Sequence, residues 1–520
     1  MCAKLAAMLP PAVKRSIGLI DLGSNSVRLM IVRYTPGVAF KITHEFSRRV
    51  RLSEGMSADP QLRLQPAAME RTIRTLATFR AFCEADGVKR IIPVATAAVR
   101  DAGNRAEFLA RAKAATGLKF RVLSGEEEAY FGFLGVVNTL GLRAGLVMDI
   151  GGGSAEVSRI GGGRFKRGIT RPLGAVRLTE MYLTSDPVQS EELRRLSDHV
   201  AAAFRELDWM RLRPGEQFAG VGGAVRALAR IDREMRGYPL DLVNGYELEL
   251  SRLDGLIARL GALPIAERLR QVPGLPQDRA DIILAGAVVV AEALRRVKAS
   301  RLIVCGHGLR EGLFFREFLR PAEPPLIPDL REFSVLNLAR LCGYEKRHAD
   351  QVAYLALSLF DQLFKLHRYG ATERGWLWAA AQLHHIGAAA HYYDPYKHSS
   401  YLILSNGLHG YVHREIALLA LLCLYLRGEK PALEAAASAV EAGTLEQVER
   451  LGTLLRLAEA LDVSQTQAVR EVRVQVSGKR VTLHLDRHAR LELSWELEAA
   501  RRNAGVFEEV FGRRLEIIWK

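Results

Sequence analysis

Two apolar runs of strand type, broken by one short polar stretch, fill Ile17 to Val32, and the same pattern of hydrophobic and polar positions returns over Gly145 to Ile160. The two stretches align without a gap. Each climbs an apolar run to Asp-aliphatic-Gly, crosses a few small polar residues and resumes as a strand with period-two alternation, which predicts a β-hairpin with a tight turn. Asp21 falls on Asp149, Gly23 on Gly151 and Ser26 on Ser154. The first part of the chain therefore reads as one unit used twice.

Between the hairpins the period changes. Pro66 to Ala85 and Arg105 to Thr116 carry apolar residues at helical spacing, while Arg90 to Ala95 and Phe120 to Leu123 are short apolar runs of strand type. Later, a strand near Gln217 to Ala219 runs into Gly220-Val-Gly-Gly223, and Leu302 to Cys305 runs into Gly306-His-Gly-Leu-Arg-Glu-Gly312. Strands alternating with helices predict an α/β architecture. Glycine turns that open a helix after a strand are usual places for a backbone to meet phosphate or ribose.

Pro321 to Pro328 holds four prolines and marks a boundary. Beyond it, Asp350 to Leu366, Trp376 to Ile386, Arg414 to Leu426 and Leu445 to Leu461 predict consecutive amphipathic helices. From Val469 onward, Val472–Val476, Val481–Leu485 and Leu491–Trp495 alternate as strands, with a helix over Glu496 to Phe511 and a last strand at Leu515 to Trp519. The expected domains are residues 1–135, 136–320, 329–466 and 467–520. Met1 to Pro11 reads as a frayed arm without a cleavage site.

Composition narrows the classes. At 520 residues the chain exceeds one hydrophobic core. Its 49% hydrophobic and 25% charged residues are those of a globular rather than a disordered protein. Ile282 to Leu294 and Ile416 to Leu426 are shorter than the ~20 residues a bilayer requires, so no membrane span is expected. The five scattered cysteines form no CxxC pair, which predicts no disulfide framework or zinc site and favours a cytoplasmic location. The net charge of +15 suits a polyanion partner, although an Arg-rich solvated surface would also produce it.

The repeated turn has a direct chemistry. Small residues let backbone N–H groups close on an anion, Ser and Asn side chains add donors, and an Asp at the strand end offers oxygen to a hard cation. Ser24, Asn25, Gly151, Gly152, Gly153 and Ser154 are thus candidate phosphate contacts, and Asp21 and Asp149 candidate Mg²⁺ ligands. Arg100 could clamp phosphate with its guanidinium fork. Six basic residues and no acidic one lie between Val157 and Thr179, among them Arg164, Lys166 and Arg167, which could carry a chain of phosphates away from the site; a solvated hairpin face accounts for them equally well. Little aromatic interleaving accompanies them, which argues against nucleic acid.

Asp21-Leu-Gly-Ser-Asn-Ser26, Ala95-Thr-Ala-Ala-Val-Arg100, Ser124-Gly-Glu-Glu-Glu-Ala129, Asp149-Ile-Gly-Gly-Gly-Ser154 and Gly220-Val-Gly-Gly223 together resemble the exopolyphosphatase / guanosine pentaphosphate phosphohydrolase (Ppx/GppA) family over residues 15 to about 315. The resemblance implies duplicated actin-like ASKHA (ribonuclease H-like) domains, followed by an all-α domain related to HD phosphohydrolases and a small α/β C-terminal module. It implies Mg²⁺-dependent phosphohydrolysis, with Mn²⁺ as a substitute, and a homodimer. It places the catalytic carboxylate at Glu128, with Glu127 as second choice in the triple-Glu run, and adds Glu156 to the metal ligands. In the helical domain the expected His-Asp pair is His384-His385 instead, which argues against a working metal site there, while His348 and Asp462 stand at suggestive positions.

Inorganic polyphosphate is the leading expected substrate and pppGpp the second. An ASKHA kinase or nucleotide-gated chaperone would instead need an adenosine pocket, and a non-catalytic polyanion binder would need Glu128 far from the turns.

Overall fold

Two successive sheets repeat one strand order. The computed structural model describes residues 14–427, 443–488 and 491–519, so the expected arm at Met1 to Pro11 lies outside the described residues. The first sheet holds β1 (Arg15–Leu22), β2 (Ser26–Thr35), β3 (Ala39–Arg49), β4 (Ile91–Ala95) and β5 (Arg121–Val122), in the order β3-β2-β1-β4-β5. The second holds β6 (Gly145–Ile150), β7 (Ala155–Gly161), β8 (Arg164–Arg171), β9 (Gln217–Val221), β10 (Glu247–Glu249) and β11 (Arg301–Val304), in the order β10-β11-β9-β6-β7-β8. Without the edge strand β10, the orders superimpose. In each, three antiparallel strands lead to parallel ones reached through helices, the form of two actin-like domains.

Apolar side chains explain the central strands. Ile17, Leu19 and Ile20 in β1, and Leu146, Val147 and Met148 in β6, are buried, as expected for strands covered on both faces. The helix Leu309–Phe318, which follows β11, runs against the helix Gly125–Leu140, which follows β5. Gly312 and Gly135 permit this approach, since a Cβ on either would collide with backbone of the opposite helix.

The chain divides near Leu330. Arg331 onward belongs to a second unit, with the helices Lys346–Gln362, Ala371–Leu383, Pro395–Asn406, His413–Tyr425 and Thr444–Ala460 around one core. His348 and Asp462 do meet here. The Nδ1 of His348 lies 2.9 Å from Asp462 Oδ2, and its Nε2 lies 3.2 Å from His384 Nε2. These rings bond to one another and to backbone. Among the described residues no group of three or more His, Cys, Asp or Glu is arranged to hold a metal.

The C-terminal sheet corrects one expectation. Its strands are β12 (Val469–Ser477), β13 (Arg480–Arg487) and β14 (Arg514–Trp519) in the order β12-β13-β14, and Leu491–Trp495 is not among them. Leu493, Leu497 and Ala500 are buried at helical spacing, so the apparent alternation belongs to the entry of the helix Ser494–Arg502. The expected long helix is interrupted at Asn503 and resumes as Ala504–Phe511.

Cys83, Cys305, Cys342 and Cys423 are free thiols. No helix among the described residues is long and apolar enough to cross a membrane.

Candidate active site

The two hairpin turns face each other across a pocket. In the first, Asp21 stands opposite Arg28 and Leu22 opposite Val27; in the second, Asp149 stands opposite Glu156 and Ile150 opposite Ala155. Each turn is closed by the same bond, Gly23 N–H to Ser26 O at 3.2 Å and Gly151 N–H to Ser154 O at 2.9 Å. A Cβ on Gly153 would stand 2.5 Å from Ser24 Oγ, and one on Gly152 3.1 Å from Asn25 N. A side chain at either position would force Ser24 or the Asn25 backbone to shift, so glycine suits the close approach of the turns. Gly222, at φ +99°, brings the β9 turn onto β6 in the same way, since its Cβ would fall 2.6 Å from Asp149 Oδ1.

Asp21, Ser24, Asn25, Glu128, Asp149, Gly151, Gly152, Gly153, Ser154 and Glu156 all line this pocket. The side-chain amide of Asn25 is buried, and neither its oxygen nor its nitrogen has a hydrogen-bond partner among the described residues. A buried amide left unpaired is costly, so this group is prepared for a polar occupant. Glu156 accepts from Thr170 Oγ1 at 2.8 Å.

The triple-Glu run resolves into distinct roles. Ser124 caps the helix Gly125–Leu140 by accepting from Glu127 N–H, and the Glu127 carboxylate returns to Ser124 N–H and pairs with Arg121. Glu127 thus completes a capping box and does not line the pocket. One residue further along the turn, Glu128 is buried, aimed at the pocket and paired with Arg100.

Arg100 itself is absent from the pocket wall. It donates to Glu128 and to Leu123 O at 3.2 Å, and so supports the carboxylate instead of reaching the phosphate space. Arg164, Lys166 and Arg167 are also not brought to the pocket. Thr170, which bonds Glu156, lies six residues along β8 from Arg164, a span of ~20 Å at strand spacing, and Arg167 covers the Trp209 ring 4.8 Å away. Of the other basic residues in that run, Arg159, Arg171 and Arg177 are paired with Glu216, Glu206 and Asp101.

The pocket instead draws its positive charge from Arg28, Arg226, Arg279 and Arg310, none of which the sequence reading singled out. Three carried a usable signal. Arg28 interrupts an apolar strand two residues after Ser26, and Arg226 and Arg310 sit in the first helical turns after the Gly222-Gly223 and Gly308 turns. Arg279, in a loop, carried none.

Burial pushes the Asp149 carboxyl up to about 6 against the opposing charge of Arg226 and Arg28, and it raises Asp21 as well. Burial and then the neighbouring Asp149 lift Glu156 to about 7. Glu128 is raised well above the ordinary range by burial and by Glu156, with Arg100 pulling the other way. Burial also lowers Arg28 and Arg279 to about 10, still fully charged at neutral pH. The result is a crowded set of carboxylates with excess proton affinity beside a set of fixed cations. Such a site offers oxygen ligands to a hard cation that a bound polyanion would share, because Mg²⁺ is usually held by one or two carboxylates, waters and substrate phosphates.

The model of the Ppx/GppA phosphatase family matches residues 30–321, and that of Ppx/GppA phosphatase domain III matches residues 330–501. Among solved structures, the Aquifex aeolicus member of the Ppx/GppA family is 31% identical over 59% of this chain and 98% of its own, with a TM-score of 0.51. A protein described as exopolyphosphatase-like is 26% identical over 57% of this chain and 96% of its own, with a TM-score of 0.52. An exopolyphosphatase from Cytophaga hutchinsonii has the same fold at 23% identity, over 58% of this chain and 98% of its own, with a TM-score of 0.53.

Proposed function

The chain belongs to the Ppx/GppA phosphatase family, and from that membership we propose that it is an exopolyphosphatase, removing the terminal phosphoryl group of inorganic polyphosphate with Mg²⁺ and with Glu128 as general base. The observation that carries this reading is the buried Glu128 carboxylate lining a pocket closed by two glycine turns and four arginines. Burial raises its proton affinity above that of an ordinary carboxylate, the direction a general base needs in order to accept a proton from water. The likeness to an exopolyphosphatase-like protein and the net charge of +15 support a polymeric anion as substrate.

In this reading the N–H groups of Gly152 and Gly153 and the Asn25 amide hold the terminal phosphoryl oxygens, while the N–H of Gly151 closes the turn onto Ser154 O. Arg28, Arg226 and Arg310 balance the charge that spreads over those oxygens as the anhydride opens. Glu128 orients a water and takes its proton, and Arg100 positions Glu128. Because no three carboxylates among the described residues are arranged to hold a metal by themselves, one or two of Asp21, Asp149 and Glu156, together with water and the substrate's phosphates, would hold Mg²⁺, or Mn²⁺ in its place; the cation would supply further charge neutralisation on the phosphates.

Phosphate release from long polyphosphate, pppGpp and ATP by the purified protein with Mg²⁺ tests the proposal. Polyphosphate should be the fastest substrate. Faster pppGpp turnover would transfer the assignment to a pppGpp 5′-phosphohydrolase, and faster ATP turnover would favour a nucleotide-driven ASKHA protein.

A further inference from the structure

Beside the first turn, two arginines share one carboxylate oxygen. Arg49 Nη2 donates to Asp281 Oδ2 at 2.7 Å, and Arg51 donates to the same atom. The other oxygen, Oδ1, has no hydrogen-bond partner among the described residues. Two guanidinium groups therefore share one carboxylate oxygen; Glu54, 3.9 Å from Arg51 Nη1, is itself bonded to Arg71 at 2.8 Å, so neither arginine is held in the bidentate fork–fork geometry. The Arg49, Arg51 and Asp281 side chains keep 32%, 33% and 25% of their surface exposed, so an anion in solution can reach them.

Backbone bonds fix the arginines against the phosphate turn. Arg49 is the ladder partner of Ser26, the N–H of Arg51 donates to Asn25 O at 2.8 Å, and that of Ser53 donates to Ser24 O at 3.2 Å. On the opposite wall, Asp281 follows the pocket residue Arg279 by two positions. Arg279 lies within electrostatic reach of both Arg28 and Arg49. A line of cations thus continues from the pocket wall to the exposed Arg49 and Arg51, with Asp281 bonded to both arginines and Asp278 and Glu54 at its margins.

We propose that Arg49 and Arg51 form a binding subsite for phosphoryl groups beyond those inside the pocket, and that Asp281 is an internal anion which holds the two arginines until a longer polyanion displaces it. This deepens the polyphosphate reading and rests on it. A phosphate group presents more negative charge and more acceptor oxygens than one carboxylate, so the exchange favours an occupant long enough to reach the pair. Pyrophosphate, confined to the pocket, gains nothing from it. The subsite selects for chain length.

The test uses full-length protein carrying Glu128→Gln, so that ligands bind without turnover, and measures the affinity for pyrophosphate, tripolyphosphate and long-chain polyphosphate. Adding Arg49→Gln and Arg51→Gln should weaken tripolyphosphate and the long chain by about tenfold, the scale of a lost charge-assisted hydrogen bond, while pyrophosphate changes by less than about twofold. Adding Asp281→Asn should tighten tripolyphosphate, because the competing anion is gone. Equal losses for all three ligands, or none, would overturn the subsite. So would an Asp281→Asn protein that melts lower and binds tripolyphosphate less well, which would make the bridge a tie between the two sheets' domains. If Asp281→Asn does not fold, the arginine pair decides alone. A Glu128→Gln parent that binds none of the three ligands would instead sink the polyphosphate reading itself.

Discussion

Arg100 holds the buried carboxylate of Glu128 from behind, with its guanidinium outside the pocket that Glu128 lines. Arg100 draws this carboxyl toward its ionised form, while burial, the larger effect, works to protonate it. Glu128→Gln should lower phosphate release by at least about a hundredfold, the usual scale for loss of a general base, with the thermal melt unchanged. Wild-type turnover in that variant would remove Glu128 from the mechanism.

Arg100→Ala acts on the pH profile. Because Arg100 draws the Glu128 proton affinity down, its loss should move the acidic limb of the rate profile to higher pH, so that activity lost at neutral pH returns partly in alkaline buffer. A drop in rate that is constant across pH would mean that Arg100 contacts phosphate directly.

The crowded carboxylates should make stability depend on pH and, with the proposed Mg²⁺ site, on the cation as well. Glu156 rises from an ordinary 4.5 to about 7 and Asp149 from 3.8 to about 6. For acids raised on folding, the stabilising contribution is complete below the unfolded values and disappears as pH climbs through the folded ones. The metal-free protein should therefore lose stability between about pH 4 and pH 7 from these groups. On the proposed binding, Mg²⁺ would take the place of the missing protons, so its stabilisation should be larger at high than at low pH. Calorimetry showing the same Mg²⁺ effect in both ranges would contradict this.

Gly222→Ala is expected to damage the site through the backbone. The position sits at φ +99°, and a Cβ would press on Asp149. The combined strain and clash should cost at least about 2 kcal/mol in denaturant unfolding, with activity falling more than stability alone explains. A variant as stable as wild type would show that the β9 turn can move.

Reversing charge at Arg164 and Lys166, at the far end of the β8 hairpin, should leave tripolyphosphate hydrolysis unchanged. An effect confined to long chains and abolished by added salt would show that the polymer passes this end; an effect on tripolyphosphate would place both residues nearer the pocket than the strand register allows.

The turns were legible because their chemistry is local: Asp, Gly and Ser stand at fixed offsets within a period-two pattern, and the pattern occurs twice. Glu128 could be separated from Glu127 only once the helix start was known, since a capping box at Ser124 claims the third helical residue and releases the fourth. The pocket arginines were harder. Arg28 and Arg226 left a trace as charges in apolar or glycine-rich surroundings, but Arg279 arrives from a loop whose path depends on tertiary packing. The strand read at Leu491–Trp495 failed for a related reason, since a few alternating leucines satisfy both periods until their burial is seen.

Opposite its aspartate, one hairpin carries a cation where the other carries an acid. A doubled backbone has thus yielded a gap with dissimilar walls: one suited to gripping anionic oxygens, the other to accepting a proton or a metal. Whatever lodges there cannot be turned end for end without exchanging attraction for repulsion, so the duplication supplies the frame and a single divergent ladder position supplies its sense of direction.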